Sequence, residues 1–191
     1  MKDEFRKSPL AFKVYYFTFI ALGFLLFSFL IRDFPLPRFP EVLLFAFLIV
    51  VADSAQITLP RGGASIYASS PFDLAAIVLL GPSAAVLVEA IASFFTEVVV
   101  QRRAAVKYAF NVPLLIATVG CAGLAYWAFP DSWRTFESAR FLLPLTVASV
   151  VYYLVNTISV SLVIALRGSK RVFHIWKQNY MWTFFHIFAF I

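Results

Sequence analysis

The chain has 191 residues, of which 62% are hydrophobic and only 14% are charged. Soluble domains are about 45–50% apolar and about 25% charged, so this composition excludes a soluble globular domain and predicts an all-α integral membrane protein. The formal net charge of +6 comes from lysines and arginines in short loops, a distribution that sets membrane orientation and does not indicate nucleic-acid binding.

The first predicted element is an apolar run over residues 10–31, preceded by Lys2, Arg6 and Lys7. It is too long for the apolar core of a signal peptide, and no small-residue cleavage site follows it. A first transmembrane helix is therefore predicted, rather than a cleaved leader.

Six further apolar runs follow, and together with the first they predict a polytopic helical bundle of about six to seven transmembrane helices. They cover residues 41–59, 64–80, 83–100, 104–129, 141–166 and a last run from about residue 179 to the end of the sequence. The whole of 1–191 then forms one transmembrane domain without a soluble domain.

The last run reaches Ile191 with no closing loop, cap or charge. A helix needs about 20 apolar residues to cross a bilayer. We therefore expect the sequence to be the membrane part of a longer protein that continues beyond residue 191.

Two turns punctuate the middle of the chain, and the segment between them has two interpretations. One turn is formed by Pro60, Gly62 and Gly63, and the other by Gly81 and Pro82; all five are predicted to be structural. In the preferred interpretation, residues 64–80 and 83–100 are two full crossings. In the alternative, a short hairpin near residues 57–70 is re-entrant, which is tolerated at membrane depth only where protein or a water-filled cavity shields it.

The loop charges predict the orientation. Residues 101–107 and 167–177 carry lysine and arginine without an acid, whereas the loops over 32–41 and 130–140 balance both signs. Positive loops stay on the cytoplasmic side. We therefore predict a bacterial inner-membrane protein whose N-terminus and two acid-free loops are cytoplasmic.

Polar side chains within the apolar runs are the candidate functional residues, because ionisable groups are costly inside a bilayer. Glu89, Ser93 and Glu97 are spaced i, i+4 and i+8, so they share one helix face. The other polar side chains are Asp53, Gln56, Asp73, Asn111 and Asn156.

From these we predict a ligand-binding pocket formed by Glu89, Asp53, Gln56, Asn111 and Asn156, suited to a cation, a proton or a small polar ligand. No lysine or arginine is near Glu89 in sequence, so we expect it to be protonated or to face a polar cavity. The alternative is interhelical hydrogen bonding, worth only about 0.6 kcal/mol per bond on average.

Other site chemistry is not predicted. Cys121 is the only cysteine, and two histidines twelve residues apart, His174 and His186, match no zinc pattern. No serine or cysteine nucleophile has an evident histidine base. We therefore predict no metal, no cofactor and no enzymatic activity for the residues present.

An ordered set of landmarks resembles a known type of region. The set comprises ITLPRGG over 57–63, the weakly apolar stretch over 64–82, Lys107 with Phe110 and Asn111, Leu143 with Pro144, and Asn156. Over roughly residues 40–191 the chain resembles the N-terminal multi-helix membrane region upstream of bacterial HD-GYP phosphodiesterase domains and other cyclic-di-GMP signalling outputs such as GGDEF.

The resemblance implies a membrane-embedded sensor or anchor domain whose cytoplasmic output domain, absent from this sequence, would follow one more helix. Because the chain has no His-Asp doublet, GYP or GGDEF, any phosphodiesterase activity would belong to that output domain. The expected partners are the lipid bilayer, the missing output domain and a second copy of the chain in a homodimer. The alternatives are a small-solute or vitamin-binding transporter component and a purely structural anchor.

Overall fold

The computed structural model describes residue 5 and residues 8–54, 57–58, 65–66, 68–136, 139–168 and 171–181. The described elements are α1 (Leu10–Leu30), α2 (Phe39–Ser54), β1 (Ile57–Thr58), β2 (Ser65–Ile66), α3 (Ser70–Leu80), α4 (Pro82–Phe95), α5 (Ala105–Trp127), α6 (Leu142–Gly168) and α7 (Val172–Asn179). A five-residue π-helix, Thr96–Val100, continues α4. Short 3₁₀ turns lie in the α1–α2 and α5–α6 connections.

Four helical stretches in the described part of the chain are long and apolar enough to cross a membrane: Leu10–Asp33, Pro82–Val100, Ala105–Trp127 and Ala139–Gly168. The predicted helical membrane fold is confirmed at this level. The two remaining apolar helices are shorter, with 16 residues in α2 and 11 in α3. At 1.5 Å per residue these are about 24 Å and about 16 Å long, less than the roughly 30 Å of a hydrocarbon core. The count of six to seven crossings stays a prediction.

The helix predicted over residues 64–80 is wrong in its first part. Residues Ser65–Ile66 form a strand that pairs antiparallel with Ile57–Thr58, and the helix begins only at Ser70. Pro71 lies in the first turn of this helix, where its fixed φ and missing N–H are tolerated. The two strands run in opposite directions, as expected from the alternative interpretation with a short hairpin near residues 57–70.

Three of the predicted turn residues, Pro60, Gly62 and Gly63, lie outside the described residues. Gly81 and Pro82 are described, and they separate α3 from α4. Gly81 has φ 88°, a left-handed conformation that glycine adopts without steric cost. Pro82 is the first residue of α4, so helix α4 starts immediately after the turn.

The outer end of the α3–α4 turn is closed by side chains from two other elements. Arg38, just before α2, donates from Nη1 to the carbonyl oxygens of Leu79 and Leu80, at 3.0 and 3.3 Å. Trp127, at the end of α5, donates from Nε1 to the carbonyl oxygen of Ile77, at 3.1 Å. The carbonyls of Leu79 and Leu80 are among those that a helix C-terminus leaves without partners, whereas the carbonyl of Ile77 also accepts from the backbone N–H of Gly81 at 3.2 Å.

Helix α5 is the centre of the bundle, in contact with α1, α3, α4 and α6. Small residues let its neighbours approach closely. A Cβ added at Gly23 of α1 would lie 2.6 Å from the carbonyl oxygen of Pro113 in α5, closer than real Cβ atoms come. One at Gly123 would lie 3.0 Å from Cβ of Pro82. The α1–α5 crossing therefore depends on glycine at position 23.

The largest buried apolar cluster fills the space between α5 and its neighbours α1, α3, α4 and α6. Its members are Leu30, Leu74, Ala76, Ile77, Ala85, Val86, Ile116, Val119, Ala122, Tyr126, Ala148 and Tyr152. A second cluster joins α2 to α4, and a third joins the first half of α1 to α5. Together they position one face of α4 toward both short helices.

Substituting Gly23 with alanine tests the α1–α5 crossing. The added methyl group meets backbone atoms of Pro113 that cannot rotate away, so we expect a loss of stability of about 1–3 kcal/mol, the usual cost of overpacking. Thermal unfolding in detergent micelles measures it. Gly168→Ala, at the exposed end of α6, is the matched control. Equal melting temperatures for both variants would contradict the close approach.

Candidate functional site

Four side chains from four helices meet in the interior of the bundle, and we name them the acid cluster: Asp53 of α2, Asp73 of α3, Glu89 of α4 and Tyr152 of α6. Their exposed fractions are 5%, 2%, 3% and 3%. Carboxyl groups are almost never buried this deeply unless they are paired. The cluster is therefore the main polar feature of an otherwise apolar interior.

The turn at Gly81 explains why two of the acids are neighbours. Asp73 is eight residues before Gly81 and Glu89 is eight residues after it, so each lies about 12 Å along its helix from the turn. In an antiparallel helix pair, residues at equal distances from the turn lie at the same level. The two carboxyl groups are close enough to share a hydrogen bond.

A hydrogen bond between the two carboxyl groups needs a proton on one of them. An ionised carboxylate only accepts hydrogen bonds, so two carboxyl groups bonded to one another must hold at least one proton between them. Tyr152 donates from its hydroxyl to Oδ2 of Asp73 at 2.7 Å. Asp73 is thus the acceptor in the centre of the cluster, with Glu89 on one side and Tyr152 on the other.

Asp53 approaches the pair from α2. It accepts hydrogen bonds from the backbone and side chain of Ser69, just before α3, and it interacts electrostatically with Asp73 and Glu89. One oxygen of each acid has no hydrogen-bond partner: Oδ1 of Asp53, Oδ1 of Asp73 and Oε2 of Glu89. A buried polar atom left without a partner costs about 1–3 kcal/mol, so these three oxygens lower the stability of the folded protein.

A second polar group lies further along α4, where the π-helix begins. Glu97 is 1% exposed, and its Oε1 is 3.5 Å from Nε of Arg103. Its Oε2 accepts a hydrogen bond from Nδ2 of Asn111 in α5, at 3.2 Å. Glu97 therefore has a counter-charge. Among the described residues, no lysine or arginine forms an ion pair with the three acids of the acid cluster.

The predicted ligand residues are divided by the fold. Asp53 and Glu89 meet in the acid cluster, Asn111 bonds Glu97 in the second group, and Asn156 is half-buried on α6, one turn beyond Tyr152. Gln56 lies outside the described residues. Nothing in the described contacts joins Asn156 to the acids.

Two members of the acid cluster lie outside the predicted ligand pocket: Asp73, which was only among the candidate polar residues, and Tyr152, which was not a candidate. Asp73 lies in the segment over residues 64–80, where the predicted helix begins too early. Asp73 and Glu89 are equally far from Gly81 in sequence, and this spacing could have indicated that they are neighbours. Tyr152 carries no sequence signal, because tyrosines such as Tyr152 and Tyr153 in an apolar run are typical of a helix core. Only the packing of α6 against α3 assigns it to the site.

Helix α6 also holds the segment that follows it. Tyr153, next to Tyr152, donates to the carbonyl oxygen of Tyr180 at 2.5 Å. Trp176 of α7 donates from Nε1 to Oγ1 of Thr157 at 2.9 Å, and Ile175 is 4% exposed. One turn of α6 therefore touches the acid cluster on one side and α7 on the other.

The chemistry open to the site is limited. No group of three histidine, cysteine, aspartate or glutamate side chains in the described part of the chain is arranged to hold a metal ion. A cavity of about 290 Å³ lies elsewhere, at the outer ends of α3 and α5, lined by Val78, Tyr126, Trp127, Asp131 and Arg134. The guanidinium of Arg134 in this cavity forms an ion pair with Asp131 and lies over the Trp127 ring.

Comparison with known proteins gives one finding. The model of the MASE9 family matches residues 2–191. Neither the curated proteins nor the solved structures give a match.

The Tyr152–Asp73 hydrogen bond can be tested by Tyr152→Phe. The substitution keeps the ring but removes the donor to Asp73, so we expect a stability loss of about 1–3 kcal/mol, measured by thermal unfolding. Tyr108→Phe, at a half-buried tyrosine of α5, is the control and should unfold close to wild type. A Tyr152→Phe protein as stable as this control would mean that the bond contributes nothing.

Proposed function

Because the chain belongs to the MASE9 family, and MASE domains are membrane-associated sensor domains of signalling proteins, we propose that it is the stimulus-receiving part of a bacterial signal-transduction protein and that the acid cluster receives the stimulus. The observation that carries this proposal is the junction of four helices at three buried acids, each with one oxygen that has no hydrogen-bond partner among the described residues. Intramembrane ionisable residues of this kind are functional candidates by default.

The proposed mechanism is a shift between two packings of the helices around the cluster. A stimulus can shift that equilibrium only by the difference between its affinities for the two states. The unpaired oxygens supply such a difference, because a group that pairs them in one packing stabilises that packing. The short helices α2 and α3 are the elements that change position.

Helix α6 is the proposed route to the output. Tyr152 contacts the cluster, and Tyr153 and Thr157 hold the segment over residues 172–180. A change in the position of Tyr152 therefore moves the attachment of α7. The output domain that we propose beyond residue 191 is an HD-GYP phosphodiesterase or a related cyclic-di-GMP domain, in keeping with the resemblance over residues 40–191.

The proposed orientation has a cytoplasmic N-terminus in the inner membrane. Two observations support the direction of the helices. Tyr16 of α1 donates to the carbonyl oxygen of Val106 at 2.9 Å, so the starts of α1 and α5 lie on the same side. Arg38 and Trp127 meet the end of α3 on the other side. The segment over residues 101–104 carries two arginines without an acid, and the segment before α1 carries three basic residues against two acids; this excess of positive charge is expected of cytoplasmic ends.

Cysteine labelling tests this orientation. In a Cys121→Ser background, a membrane-impermeant thiol reagent added to the periplasmic side should label Thr135→Cys and leave Ala104→Cys unlabelled. Permeabilised cells serve as the control in which both positions react. Labelling of position 104 but not of position 135 in intact cells would reverse the topology.

Glu89→Gln in the full-length protein tests the sensing role. Glutamine keeps the size and one hydrogen-bond acceptor of the side chain but cannot ionise, so we expect a normal folded yield with an output that no longer responds to the stimulus. The readout is cellular cyclic-di-GMP. Glu41→Gln, at an exposed acid in α2, is the matched control. A Glu89→Gln protein that folds and signals like wild type would leave Glu89 as a helix-packing residue and contradict the proposal.

A further inference from the structure

The elements around the acid cluster bring acidic side chains to it and, among the described residues, no cation. α2 contributes Asp53, α3 contributes Asp73, and α6 contributes the hydroxyl of Tyr152. α4 contributes Glu89 and, further along, Glu97, whose charge is met by Arg103. Helix α5 carries one charged residue, Lys107, which is exposed. Three acids thus face one another without a cation among the described residues.

Asp53 supplies an observation independent of the bonded pair. Its side chain is more than nine-tenths buried, it interacts electrostatically with Asp73 and Glu89, and its Oδ1 has no hydrogen-bond partner among the described residues. It approaches from a different helix and is held by Ser69, not by the pair. Three buried acids that interact electrostatically are stabilised when a positive species offsets their charge.

The structure restricts what that positive species is. The described acids, histidines and cysteine form no group that would hold a metal ion. Asp73 and Glu89 are close enough to share a hydrogen bond, and such a bond needs one proton because an ionised carboxylate cannot donate. Fully ionised, the cluster would hold three like charges in a medium where their repulsion is far stronger than in water.

We propose that the acid cluster is a proton-binding site, loaded with protons in the packing described here, and that loss of protons to water drives α2 and α3 away from α4. The inference names the stimulus of the proposed sensing site and rests on that function, but its test does not use signalling output. The transfer is simple: O–H bonds of the carboxylic acids break, the protons pass to water, and carboxylates remain.

Deprotonation acts mainly on the two short helices. Loss of the shared proton removes the Asp73–Glu89 bond and replaces it with repulsion between α3 and α4. Loss of a proton near Asp53 adds repulsion between α2 and the other two helices, α3 and α4. Deprotonation therefore weakens the contacts that hold α2 and α3 against α4, because the carboxylates repel one another in the buried interior.

Infrared difference spectroscopy on the full-length protein in lipid nanodiscs tests the proposal directly. Protonated carboxylic acids have a carbonyl band that carboxylates lack. On raising pH from mildly acidic to mildly alkaline, we expect wild type to lose this band. Asp73→Asn and Glu89→Gln should each lose a measurable part of the change, and Asp33→Asn, at an exposed acid outside α1, should keep it all. An unchanged band in both cluster variants would overturn the proposal.

A second set of measurements tests the proposal if Asp73→Asn or Glu89→Gln fails to fold. Tyr152→Phe retains all three acids, and its carbonyl change should persist with a shifted midpoint. The melting temperature of wild type should fall across the same pH range, and the fall should be smaller in Glu89→Gln. A cluster that responds to sodium at fixed pH, with no pH-dependent carbonyl change, would contradict proton binding. If Glu89→Gln lost signalling but its infrared spectrum matched that of wild type, the sensing role of the cluster would stand and proton binding would be contradicted.

Discussion

The contact of Asp73 with Glu89 and Tyr152 is the interaction on which the arrangement of the bundle depends. Helix α3 is about 16 Å long and buries few large side chains of its own, so its position depends on what it bonds. Asp73 ties it to α4 through one carboxyl group and to α6 through a phenol at 2.7 Å. The apolar cluster around Ile77 then fills the space that these polar bonds define.

A short helix inside a membrane domain also imposes a requirement on the backbone. Groups at membrane depth must find hydrogen-bond partners within the protein. Pairing of Ile57–Thr58 with Ser65–Ile66 provides partners for part of this segment. Ser69 provides more, since both its backbone and its side chain bond Asp53. The acid at the end of α2 therefore supports the start of α3, and the two short helices form one unit.

Long apolar helices could be predicted from sequence because their signal is summed over many residues. The runs that became α1, α4, α5 and α6 start and end within a few residues of the predicted bounds. The strand β2 and the start of α3 could not be predicted within residues 64–80, because each element is too short to change the average hydropathy of that segment. Within the site, Glu89 was identified as the acid most embedded in apolar sequence. Tyr152 was not, because its role comes from a contact between residues 79 positions apart.

The anchoring of α3 at its outer end has a mechanical consequence. Arg38 holds the carbonyls of Leu79 and Leu80, Trp127 holds that of Ile77, and Gly81 joins the helix directly to α4. Every one of these attachments is in the last turn. In the proposed shift, α3 loses its bonds at Asp73 but keeps these attachments, so it turns about Gly81. Displacement grows along the helix toward Ser70, and the short unit of α2 and α3 converts a small separation near Asp73 into a larger one at the hairpin.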